Sequence, residues 1–155
     1  MASAILFFGG ITSIIFVTIV LLSHKYAPEV LLSEMTNASI ETPKDGITHY
    51  AVLTSTIVTM FLGSFGISVW AVATLNVNFG TCFLLAYVIH FIVNLADFII
   101  VDVLFYMWIY PKWIRHDNVE VIHDYWTHTE ASLTGLLIGL PIAAMSAGTA
   151  LFIYL

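Results

Sequence analysis

Residues 79–113 form a hydrophobic run that carries His90, Asn94, Asp97 and Asp102, and no other stretch restricts the fold so tightly. An apolar helix covers a bilayer with about 20 residues, and this run is longer, so it is predicted to span with tilt. A carboxylate near the centre of such a helix costs about 2.5–3.5 kcal/mol on insertion scales, and the chain must offset it with a proton, a cation or a hydrogen-bond donor. The polar face is therefore expected to point into a bundle or an oligomer interface and away from lipid.

Three more runs are long enough to cross, giving predicted spans at residues 4–23, 50–75, 79–110 and 131–155. With 60% hydrophobic and only 9% charged residues, the composition lies far from that of soluble domains, in which about a quarter of residues are charged. The predicted fold class is all-α: an integral membrane bundle of four transmembrane helices with a short interfacial helix before the last span. Residues 1–155 are expected to make a single transmembrane domain. The first run has no Lys or Arg in its opening ten residues and exceeds a signal-peptide core in length, so it is expected to be retained.

The net charge of −6 divides into −2 in residues 24–49, −2 inside the third span and −2 in residues 111–130. Without a polybasic patch, nucleic acid is excluded as an expected partner, which leaves the lipid bilayer and a homo-oligomer or larger membrane complex. Lys25, Lys44, Lys112 and Arg115 all lie in the first and third connections, which by the positive-inside rule face the cytoplasm, with both termini outside. The sequon Asn37-Ala38-Ser39 would demand the opposite orientation in a eukaryotic cell. A bacterial cytoplasmic membrane is the simplest expected location. The lone Cys82 allows no internal disulfide and is expected to act as a small apolar helix residue.

Packing signals sit in the second and fourth spans. Thr59, Gly63 and Gly66 share one side of the second, among hydroxyls able to bond to a neighbouring helix. Gly135, Gly139, Ala143 and Ala147 recur every four residues in the fourth, a ladder that lets backbones approach closely, with Pro141 inside it to kink the helix or free a carbonyl. Whether that ladder meets a helix of the same chain or a second copy is open at this level.

His90, Asn94 and Asp97 stand at i, i+4 and i+7, a continuous polar stripe on one helical face. Asp102, five residues beyond Asp97, is turned about 140° away on an α-helix and is expected to meet another neighbour or interfacial water. Carboxyl and imidazole can relay a proton, and together with the amide oxygen they can ligate a cation. The alternative is a protonated Asp97 that bonds to hydroxyls of the second span.

A second cluster, His116, Glu120, His123, Asp124 and His128, has ligand types suited to a divalent metal ion as cofactor, although its spacing matches no HExxH peptidase. Asp117-x-x-Glu120 and Thr127-x-x-Glu130 also fit capping boxes, and the surrounding Trp and Tyr residues fit interfacial anchors. No nucleophile elbow, phosphate-binding loop, dinucleotide fingerprint or haem attachment motif occurs. The leading expectation is an oligomeric transport or channel protein whose intramembrane site binds or relays a proton or cation. The alternatives are an accessory or assembly subunit of a membrane complex and a membrane-embedded metal-dependent enzyme.

Overall fold

The computed structural model describes residues 1–26, 46–109 and 125–154, and apart from Met1 and the link at 76–78 these residues are all helical. Helix α1 runs over Ala2–Tyr26, α2 over Gly46–Leu75, α3 over Phe79–Ala96 and α4 over Tyr125–Tyr154. A π-helical segment, Asp97–Ile109, continues α3 without interruption. Among the described residues, four stretches are long and apolar enough to cross a membrane: Ala2–Ser23, Tyr50–Leu75, Phe79–Ile109 and His128–Tyr154. The chain is thus a small all-α membrane protein with four spanning helices. The interfacial helix predicted before the last span lies outside the described residues.

Local chemistry sets the tight α2–α3 turn. Asn76 adopts φ +50°, a left-handed conformation that asparagine tolerates better than most side chains. Asn78 then caps α3, its Oδ1 accepting from the Thr81 amide at 3.0 Å and the Thr81 hydroxyl at 3.2 Å.

Helices α2 and α3 each pack on both α1 and α4, which lie on opposite sides of that central pair. The π segment leans between α1 and α4 and touches both. Burial falls into two clusters. Val17, Val20, Val101 and Tyr106 fill the end near the first and third connections, and Met60, Ile67, Leu85, Ile89, Val93 and Ile142 fill the rest.

Lipid tails are as apolar as the side chains, so close packing rather than the hydrophobic effect must hold the helices together. Gly63 faces the Thr12 side chain and Gly66 faces Phe8, which makes the small-residue side of α2 its contact with α1. The α4 ladder turns into its own bundle: Gly135 abuts Asn94, Gly139 abuts the His90 ring, and Ala143 and Ala147 are fully buried. Serines reach backbone carbonyls of neighbouring helices, Ser64 Oγ donating to the Ala86 carbonyl at 3.2 Å and Ser146 Oγ to the Phe61 carbonyl at 3.4 Å. Most other hydroxyls turn back on their own helix, as when Thr59 Oγ1 donates to the Ser55 carbonyl at 2.8 Å.

The Gly63 contact yields a measurable expectation. A methyl group there would overlap Thr12, so Gly63→Ala should cost about 1–3 kcal/mol by overpacking. The readout is a lower unfolding midpoint in detergent, with partial recovery when Thr12→Ala is added. A midpoint equal to wild type would contradict this close approach of α1 and α2.

Candidate functional site

The polar stripe of α3 and the carboxyl beyond it converge on one cavity. It measures about 290 Å³ and is lined by His90, Asn94, Asp97 and Asp102 from α3 and the π segment, with walls from all four helices. Phe16 and Val20 come from α1, Thr56 and Met60 from α2, and Ser132, Gly135 and Ile142 from α4. Because Val20 and Val101 belong to one buried cluster and Met60 and Ile142 to the other, the cavity separates the two halves of the core.

Asp102 meets a further neighbour, His128, and lines the same cavity as Asp97. On an α-helix five residues amount to about 140° of offset. Hydrogen bonds from i to i+5 put more residues into each turn, so the fifth residue returns close to the starting face. The π segment begins at Asp97 itself, and both carboxyls therefore line the same space.

Helix α4 supplies hydrogen-bond partners to His90 and Asn94. His90 Nε2 lies 2.9 Å from the Gly135 carbonyl. A carbonyl only accepts, so Nε2 carries the proton, and a neutral ring then keeps a lone pair on Nδ1. That Nδ1 is buried and meets no donor among the described residues. Asn94 Oδ1 accepts from Ser132 Oγ at 2.7 Å. Asp97 Oδ1 is likewise buried and finds no donor among the described residues. Thr56, which lines the cavity from α2, donates to its own helix at the Leu53 carbonyl, 2.8 Å away.

Of the second predicted cluster, His116, Glu120, His123 and Asp124 lie outside the described residues. His128 does not belong to a loop. It sits in α4, 2% exposed, with Nδ1 3.3 Å from Asp102 Oδ1. The contact is short enough for an ion pair but is not aligned as a hydrogen bond. The Tyr106 ring packs beside the imidazole, with centroids 6.4 Å apart. Since α4 already runs from Tyr125, positions 127 and 130 lie within the helix rather than at its start. Among the described residues no group of three or more His, Cys, Asp or Glu side chains is arranged to hold a metal ion.

Sequence reasoning missed Ser132 and the pairing of His128. A signal existed: His128, Ser132, Gly135 and Gly139 stand at i, i+4, i+7 and i+11, one face of α4. That face answers the α3 stripe contact by contact, His128 at Asp102, Ser132 at Asn94, and Gly139 at His90. Among the described residues the cavity thus holds two carboxyls and an imidazole with no Lys or Arg in its lining. Such a set can hold or pass protons and attracts cations rather than anions. Comparison of the chain with family models, with curated proteins and with solved structures finds no match in any of the three.

Proposed function

We propose that this small membrane protein binds or relays a proton or cation at the cavity, in a transport role. The observation that carries the reading is Asp97, a carboxyl at mid-span whose Oδ1 has no donor among the described residues although it lines a space walled by four helices. Asp102 is engaged by His128 and Asn94 by Ser132, so Asp97 and the free Nδ1 of His90 are the groups with capacity to spare. The packed cluster of Ile67, Ile89 and Val93, each fully buried, closes the bundle beyond the cavity. Among the described residues this leaves little room for an enclosed path within one chain, and passage across the membrane calls for association into a homo-oligomer or a larger complex, or for a change of helix packing.

The α3–α4 contacts also favour a second reading, that of an accessory subunit whose buried polar groups specify helix pairing. The two readings diverge at Asp97. Purified protein reconstituted in liposomes is expected to carry protons or a common monovalent cation down an imposed gradient, and Asp97→Asn should reduce that flux to the leak of empty vesicles. Wild-type flux equal to empty vesicles under every gradient would overturn the transport reading. Unchanged flux in Asp97→Asn would remove the residue from it.

A further inference from the structure

The walls of the cavity say more about its occupant than the carboxyl alone. We infer that the bound species is a small organic amine, held as its ammonium, that reaches Asp97 from the bilayer through a mouth between α2 and α4. The inference rests on the cation-site reading and names the substrate class for that site.

The mouth is visible in exposure. Leu53 and Ile57 of α2 and Ile138 of α4 line the cavity, yet they are 48%, 41% and 52% exposed. All three lie within spanning stretches, so their outward side meets lipid. Across from them the floor is polar and buried, with His90 at 2% and Asp102 at 4% exposure beside the unpartnered Asp97 oxygen. A ligand suited to this gradient has an apolar body toward the mouth and a positive, hydrogen-bond-donating head at the floor. An ammonium has donors and no acceptor, which matches Asp97 Oδ1 and the His90 Nδ1 lone pair.

A bare metal cation fits less well. Hard cations take six or more oxygens, whereas Asn94 Oδ1 already accepts from Ser132 and much of the lining is hydrocarbon. Size is consistent with one ring and a short arm, since a cavity of about 150 Å³ accommodates benzene and this one measures about 290 Å³. An amine-headed phospholipid carries the same ammonium, but among the described residues no Lys or Arg lines the cavity to receive its phosphate.

Entry balances without any co-reactant. The neutral amine partitions into lipid and takes the proton of the Asp97 carboxyl. The O–H bond breaks, an N–H bond forms, and ammonium and carboxylate remain as a pair. Release by the reverse step returns the proton to Asp97.

The test is calorimetric titration of the full chain in detergent with benzylamine, and with benzyl alcohol as its neutral counterpart. Saturable binding of benzylamine is expected, with benzyl alcohol weaker by about tenfold or more because it forms no ionic hydrogen bond. Asp97→Asn should remove that preference. Ile57→Trp narrows the mouth at a lipid-facing position, so it should weaken benzylamine. No saturable benzylamine binding, equal binding of the alcohol, or binding displaced only by phosphatidylethanolamine in nanodiscs would overturn the inference. If flux persists in that case, the cation-site reading stands and the ligand assignment alone is wrong. Benzylamine binding with no flux of any ion would have the opposite meaning, leaving the ligand and removing transport.

Discussion

His128→Phe is expected to destabilise the protein by about 3–5 kcal/mol, because it removes one member of a buried pair and leaves Asp102 in place without its partner. Phenylalanine keeps a ring against Tyr106, which packs on His128 at 6.4 Å, so the loss reports on the polar contact rather than on volume. The same substitution in an Asp102→Asn background should cost much less, and the difference between the two backgrounds is the coupling energy. Unfolding midpoints of the four proteins in one detergent close the cycle. Equal costs of His128→Phe in both backgrounds would show that the 3.3 Å contact carries no energy. The pair matters for function because it occupies Asp102. With His128 gone, two carboxyls of the cavity lack a partner, and the charge balance around Asp97 changes even if the fold survives.

The spans were legible because length and hydropathy alone determine them in a chain with so few charges, and the observed stretches begin and end within a few residues of those predicted. The His90, Asn94 and Asp97 stripe was legible for a similar reason, since its residues fall on or at the end of an ordinary α-helix whose period is known. Asp102 was not. The segment Asp97–Ile109 is apolar almost all round, so no polar stripe betrays its wider turn, and α-helical arithmetic rotates its carboxyl to the wrong side. His128 was misplaced for another reason. The hydrophobic run was started at Ala131, which left His128 among loop residues, whereas α4 continues outward to Tyr125 and carries the imidazole into the bundle. The glycine ladder was visible as a packing surface, but its partner was not. A ladder of small residues signals close approach and says nothing about whether a ring, an amide or a second copy fills the space.

That ladder gives the sharpest test of how the site is held. A methyl group at Gly139 would overlap three atoms of the His90 imidazole. The ring has little freedom to yield: it is fixed by its bond to the Gly135 carbonyl at 2.9 Å and stacks on Tyr87 with centroids 6.4 Å apart. Gly139→Ala must therefore displace the ring or part α3 from α4, and overpacking of this kind costs about 1–3 kcal/mol. Gly148, on the same helix, has none of the described residues within 4 Å of the corresponding position. Gly148→Ala should be neutral or slightly stabilising, since alanine exceeds glycine in helix propensity by about 0.8–1 kcal/mol. Adding His90→Ala to Gly139→Ala opens the space again, so the double variant should be about as stable as His90→Ala alone. Thermal unfolding of these variants decides the packing, and flux in liposomes decides the role. If Gly139→Ala matches Gly148→Ala in stability, the imidazole is not wedged against α4. If it is destabilised but keeps wild-type flux, His90 holds helices together and the relay reduces to Asp97.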